Sequence, residues 1–269
     1  MPEGHVIHRL ADEIEARFNR RVVAVSSPQG RFEASAALLD GHRLLGAEAV
    51  GKHLFIRFGG ARWVHVHLGI YGRLTFGDAP VPEVVGQVRL RIVSRTSWAD
   101  LRGATRCALI DADDKAGIEA RLGDDPLNPG ATGERAWARI SRSRAPLATL
   151  LMDQSVIAGI GNIYRAEVLF RARLDPMREG RTLSRAQWEM LWADLVELMR
   201  VGYDNGRIDT VDAAHEPEAM GRAPRVDDHG GEVYVYRRTG QPCHVCGSPV
   251  RALEHAGRNL FWCPTCQAP

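Results

Sequence analysis

The residues with the most chemistry in this sequence stand at its start. Met1-Pro2-Glu3 puts a proline directly after the initiator position. Methionine is normally removed before a proline, which would leave a free secondary amine on Pro2. Such an amine can attack an electrophilic carbon and form an iminium, as a Schiff-base lysine does. With an ordinary α-amino pKa of ~8, a sizeable fraction is neutral and nucleophilic at physiological pH. Glu3 stands beside it as a group able to move protons. Val6, Ile7, Leu10, Ile14 and Phe18 recur at helical spacing, so a helix is expected just past Pro2. The positive end of that helix disfavours protonation of the amine and attracts an anion. A proline that merely starts a helix would read the same way.

The second group of reactive residues closes the chain. Cys243-x2-Cys246 and Cys263-x2-Cys266 are separated by sixteen residues, a spacing that matches a four-thiolate zinc site. Two such knuckles present four sulfurs tetrahedrally around a β-hairpin, and four protein ligands leave no open position for catalysis. One structural Zn2+ is therefore expected. His244 is a spare ligand or a solvated knuckle residue. Cys107, the fifth cysteine, falls in a strand pattern and reads as a buried hydrophobe. A weaker signal is Gly159-Ile160-Gly161-Asn162-Ile163-Tyr164: two glycines make a tight turn between helices, and Asn162 is placed to cap the second. Amides at such a helix start bind phosphate, although an ordinary interhelical turn has the same pattern.

These residues need a frame. At 269 residues the chain is long enough for two domains, each with a core. A net charge of +2, from 35 Lys+Arg against 33 Asp+Glu, is too small to imply a nucleic-acid partner without knowing where the arginines sit. No apolar run approaches the roughly 20 residues of a membrane span, and no signal peptide is visible, so a cytoplasmic chain with reduced thiols is expected. Strands are expected at Val22–Ser26, His53–Phe58, Trp63–Leu68, Val88–Ile92 and Cys107–Ile110, packed as an antiparallel two-layer sandwich or flattened barrel with the first helix. Residues 124–133, rich in Pro, Gly, Asp and Asn, read as a linker. Helices are expected near Glu134–Ser141, Pro146–Asp153, Ile163–Arg171 and Ser184–Val201, the last with Ser184 and Gln187 as a capping box. Residues 203–232 have no clear period and read as a loop or linker.

Taken in order, Pro2-Glu3-Gly4, Gly51-Lys52 before a strand, Met152-Asp153-Gln154-x4-Gly159-Ile160-Gly161-Asn162-Ile163-Tyr164, and Gly257-Arg258-Asn259 before Cys263-Pro264-x-Cys266-Gln267 resemble the formamidopyrimidine-DNA glycosylase and endonuclease VIII (Fpg/Nei) family, most of all the endonuclease VIII branch of actinobacterial type. The resemblance covers essentially the whole chain. It implies an α+β fold: an N-terminal catalytic β-sandwich domain over 1–123, the linker at 124–133, a helical helix–two-turn–helix domain over 134–232, and a zinc finger over 233–269. It further implies a DNA glycosylase and AP lyase of base excision repair, monomeric, acting on damaged DNA without a small-molecule cofactor, and nucleoid-associated during repair. In that reading Pro2 attacks C1′ and Glu3 protonates the sugar ring oxygen. Lys52 binds phosphate and positions the sugar. Asn162 holds a phosphate, and Arg258 grips the phosphates around the extruded nucleotide. His67 matches a phosphate-contacting position, or is simply a strand histidine.

Departures within the family bear on substrate. The 8-oxoguanine branch inserts an Arg and a Phe from an Asp-Pro-x-Arg-Phe-Gly-like loop. Here the stretch is Asp100-Leu101-Arg102-Gly103-Ala104-Thr105, without the Phe. The endonuclease VIII branch fills the void from one hairpin, which Gly69-Ile70-Tyr71 fits. Ile70 and Tyr71 are then DNA-contacting wedges, unless they are core residues. Oxidised pyrimidines are favoured over 8-oxoguanine; a glycosylase preferring 8-oxoguanine or formamidopyrimidine is the alternative. His5-Val6 stands where many relatives carry a proline and a glutamate. From a different class, a DNA-binding zinc-ribbon protein of the same fold that has lost the chemistry would retain much of this pattern.

Overall fold

A computed structural model describes residues 2–226 and 231–268. Met1, whose removal the Schiff-base reading requires, and residues 227–230 of the expected loop lie outside the described residues. The chain divides into two compact units, Met1–Arg121 and Leu122–Pro269.

The first unit opens with helix α1, Gly4–Phe18, and continues through β1 (Ala24–Ser26), the short α2 (Glu33–Ala37), β2 (Leu44–Val50), β3 (His53–Phe58), β4 (Arg62–His67), β5 (Arg73–Asp78), β6 (Val88–Val93), β7 (Ser97–Arg102), β8 (Arg106–Ile110) and α3 (Ala112–Glu119). The strands form two four-stranded antiparallel sheets, ordered β1-β6-β7-β5 and β2-β3-β4-β8. Strand alternation explains how they meet. Leu54, Ile56 and Phe58 of β3 and Val64 and Val66 of β4 share one buried cluster with Leu90, Ile92, Ala99 and Leu101 of the other sheet. Ile7, Ala11, Ile14 and Phe18 of α1, spaced one helical turn apart, join that cluster. Each fully buried side chain of this size contributes roughly 1.5–3 kcal/mol relative to exposure. The opposite residues of β3 and β4 are covered differently. Phe55, Ile110 of β8 and Ile118 of α3 form a second small cluster on that outer face.

Three strands had no clear signal in sequence: β2, β5 and β7. Gly46 and Glu48 interrupt β2. In β7 the buried Asp100 breaks the apolar pattern, and it is tolerated because Arg91 of β6 clasps it bidentately at 2.7 and 2.8 Å. Arg91 therefore lies inside the fold, where alternation alone puts it on a solvated face.

The second unit carries α4 (Glu134–Ile140), α5 (Leu147–Leu150), α6 (Asn162–Arg171), α7 (Arg185–Asn205), α8 (Pro217–Met220) and a hairpin of β9 (Arg251–His255) and β10 (Arg258–Trp262). Tyr164, Leu169 and Phe170 of α6 pack with Trp188, Leu191 and Leu195 of α7 in one buried cluster. The capping box of Ser184 and Gln187 is present, and α7 runs on to a left-handed Gly206. Two expectations need correction. Residues 124–133 are no loose tether: Asp124 accepts the Arg135 and Ala136 amides at 3.1 and 3.2 Å, which fastens the stretch to the start of α4. Residues 203–232 are not uniformly irregular, since α7 enters them and α8 lies within them. Among the described residues, no helix is long and apolar enough to cross a membrane.

Candidate nucleic-acid interface and zinc centre

Pro2 lies outside α1, which begins at Gly4 with Glu3 as its N-cap. A proline that starts a helix occupies the first helical position; Pro2 sits two residues before it and is only half-buried. Glu3 adopts an extended conformation, makes no side-chain capping bond, and is 0% exposed. Its main-chain carbonyl accepts the Val6 amide at 3.0 Å, so the helix start fixes where the carboxylate is anchored. Next along the helix, His5 is buried. Burial, then Arg9, lowers its pKa to about 4, so a neutral ring lies beside Glu3.

Lys52 occupies the two-residue turn Gly51-Lys52 between β2 and β3. Gly51 has φ +58, a conformation that side chains rarely adopt, so the turn places the lysine immediately before His53. His67 ends β4; its Nδ1 accepts the Gly69 amide at 3.2 Å and lies 3.1 Å from Thr105 Oγ1. The turn that follows exposes two large apolar side chains, Ile70 at 54% and Tyr71 at 87%. Neither is a core residue. Arg102, in contrast, is held by Asp100 at 2.9 Å and by the Val85 carbonyl at 3.1 Å.

In the second unit the structure corrects the role of Asn162 as a helix cap. The N-cap is Gly161, in an extended conformation, and Asn162 is the first helical residue. Its side chain is drawn elsewhere. Nδ2 donates to the Asn259 carbonyl at 2.9 Å, and Oδ1 accepts from the buried Arg165, which also donates to the same carbonyl at 3.1 Å. The helix–two-turn–helix segment is thereby joined to strand β10. The β9–β10 turn is Ala256-Gly257, with φ +50 and +71, the two left-handed residues of a tight primed hairpin turn. Arg258 is the first residue after it and pairs across the hairpin with His255. His255 is tied to α5 through Thr149 Oγ1 at 2.7 Å.

The four cysteines converge as their spacing requires. Their Sγ atoms all lie within 4.8 Å of one another, with Cys243–Cys266 at 3.9 Å and Cys246–Cys263 at 3.4 Å. A tetrahedron with Zn–S bonds of ~2.3 Å has edges of about 3.8 Å, so the set fits one structural zinc. Backbone amides of Val245 and Cys266 point at Cys243 Sγ and Cys263 Sγ at 3.5 and 3.4 Å, where they would orient and stabilise metal-binding thiolates. His244 is outside this cluster and approaches Arg238 instead. Cys107 is buried in the first unit's core, which pushes its thiol up to about 12.

The first unit's face and the second unit's hairpin were legible in sequence as separate motifs. What no pattern signalled was the inward-facing polar set: Arg165, Asp100, and Glu167 of α6.

The chain matches known proteins segment by segment. Residues 1–107 match the formamidopyrimidine-DNA glycosylase N-terminal domain, residues 122–212 the H2TH domain of the same glycosylase, and residues 240–269 a zinc finger found in FPG and IleRS. The chain is 49% identical to "Endonuclease 8 1" of Mycobacterium tuberculosis, covering 99% of this chain and 100% of that protein. It is 31% identical to the formamidopyrimidine-DNA glycosylase of Thermomicrobium roseum, over 84% of this chain and 82% of that one. A Lactococcus lactis Fpg structure in complex with DNA containing an abasic site superposes with a TM-score of 0.80 at 21% identity, covering 99% and 100% of the two chains. That likeness establishes the shared fold.

Proposed function

Because the chain belongs to the Fpg/Nei family of DNA glycosylases of base excision repair, we propose that it is a bifunctional glycosylase and AP lyase working through an imine on Pro2. The observation that carries this reading is the start of α1: a half-buried proline held outside the helix, followed by a fully buried carboxylate that caps nothing with its side chain.

A damaged base is unreachable within a duplex and is flipped out. The Pro2 nitrogen, freed by loss of Met1, donates its lone pair to C1′. The base leaves with the electrons of the glycosidic bond and takes up a proton. Glu3 protonates the ring oxygen as the sugar opens to an iminium. The iminium acidifies the C2′ protons; loss of one breaks the C3′–O bond and releases the 3′ phosphate, and a second elimination removes the sugar remnant. Lys52 and His67 of the first unit, and Asn162 and Arg258 of the second, bind phosphates. Zinc shapes the hairpin that presents Arg258 and takes no part in these steps.

Oxidised pyrimidines are the proposed substrates. Ile70 and Tyr71 are exposed on a single turn, as suits apolar wedges that offset unstacking of about a few kcal/mol. Arg102 is already committed to Asp100 and Val85, and no phenylalanine follows it.

The direct test is borohydride trapping on an abasic-site oligonucleotide, with the adduct mapped by mass spectrometry. A cross-link on Pro2 in a chain lacking Met1 is expected. Salt-sensitive DNA binding without any adduct would leave the non-catalytic reading in its place. Arg258→Ala should weaken DNA binding by roughly ten-fold, in line with loss of a charge-assisted contact, while zinc stays at one per chain by metal analysis. Unchanged affinity would remove Arg258 from the interface.

A further inference from the structure

Strands β3 and β4 carry three histidines on the sheet face turned away from the main core. His53 pairs across the strands with His67, and Phe55 with His65. The rings form one stack. His53 lies 5.1 Å from His65 at an 18° interplanar angle and 5.1 Å from His67 edge-on, and His65 lies 5.0 Å from Phe55. His65 is 2% exposed; His53 and His67 are half-buried.

The hydrogen bonds fix which nitrogen of each ring carries the proton. Gly69 N–H donates to His67 Nδ1, so that atom holds the lone pair and Nε2 holds the proton. His53 Nδ1 and His65 Nε2 are 2.8 Å apart, and one of them donates. His65 Nδ1 is buried without a hydrogen-bond partner. Were His53 the donor, His65 would keep its proton on that orphaned nitrogen, and a buried N–H with no acceptor is rarer in native proteins than an unsatisfied acceptor. With His65 Nε2–H as donor, the orphan is a bare lone pair and His53 carries its proton on Nε2. His53 and His67 then both present an Nε2–H that has no protein partner among the described residues.

The surroundings select what these donors meet. Burial, then His67, Arg121, Arg106 and Lys52, lowers the pKa of His53 to about 4. Burial, then His53, Arg106 and His67, lowers that of His65 to about 3. His67 is lowered by burial and by Lys52. The rings are neutral at physiological pH, and the charges acting most strongly on them are positive. Neutral donors among cations suit an anionic oxygen and disfavour a cationic partner.

We propose that His53 joins His67 in gripping a phosphodiester oxygen of the DNA strand next to Lys52, and that His65 is the positioning residue that holds His53 in its donating tautomer. This rests on the DNA-binding reading above and adds two residues to it.

The experiment is equilibrium binding of the full chain to a duplex with an abasic-site analogue, each phosphate in turn replaced by a neutral methylphosphonate. His53→Phe keeps the stack and removes the donor, and should raise Kd about ten-fold. At one position the methylphosphonate should weaken the wild type by a similar factor and leave His53→Phe no weaker. His53→Gln, whose amide nitrogen can stand in for the imidazole Nε2, should stay within about two-fold of wild type. His65→Phe should raise Kd about three-fold and His65→Gln should restore it. In 15N spectra His53 should appear as the Nε2–H form in the wild type and in His65→Gln, and as a mixture of tautomers in His65→Phe. Unchanged affinity in His53→Phe, or losses that simply add at every phosphate, would overturn the proposal. Trapping on the same preparation separates the two readings. Wild type that fails to trap yet shows His53–phosphate coupling refutes the imine and leaves this inference standing; trapping without coupling does the reverse.

Discussion

Exchanging Glu3 for glutamine is expected to slow base release by about one hundred- to ten-thousand-fold, the range typical of losing a positioned proton donor. Glutamine has nearly the same size and shape, so the fully buried site stays filled. The start of α1 does not depend on the carboxylate, because the Glu3 side chain makes no capping bond and the turn is closed by its main-chain carbonyl. What is lost is the exchangeable proton. Single-turnover release of an oxidised pyrimidine from a duplex measures the chemical step, and binding to an abasic-site analogue serves as the control. Affinity should change by no more than about three-fold, well below the effect on rate. A rate within two-fold of wild type would strip Glu3 of its assigned role.

The second large effect is expected at Glu167, a residue that touches no proposed substrate atom. It lies in the middle of α6 and is 0% exposed. One carboxylate oxygen accepts Thr210 Oγ1 at 2.6 Å and the Tyr234 amide at 2.7 Å. The other accepts the Val235 and Tyr236 amides at 2.9 and 2.8 Å. Three successive amides wrapped around an anion form a small nest, and this one fastens the stretch that leads into the zinc module. Glu167→Gln replaces one acceptor by an NH2 group facing donors. The expected cost is roughly 3–5 kcal/mol, the scale for disrupting a buried charged group with its hydrogen bonds. Urea unfolding reads this as a lower midpoint of the transition of the second unit, with similar slope. A loss under about 1 kcal/mol would show that the amides find other partners.

Some of this was visible in the order of residue types. The apolar spacing of α1, the alternation in β3 and β4, the Ser184–Gln187 capping box and the two Cys-x2-Cys pairs depend on neighbours within a few positions. Local rules are enough to read them. The local pattern points to a helix cap at Asn162, but its side chain meets the Asn259 carbonyl, almost a hundred positions away. Strand β7 is hidden for a similar reason: Asp100 looks like a turn residue until Arg91 is set against it.

By itself, then, the sequence determined the family, the zinc ligands, the α+β composition and the pairing of a proline with a glutamate at the start, since each rests on residue identity at fixed spacing. Tertiary structure alone decided that Glu3 is buried while Pro2 stays outside the helix, that Ile70 and Tyr71 project from their turn, that Glu167 holds a run of amides, and that His65 meets His53 ring to ring. Burial and hydrogen-bond partners are properties of the folded packing, where residues distant in the chain compete for the same donor or acceptor, and no local pattern encodes the outcome of that competition.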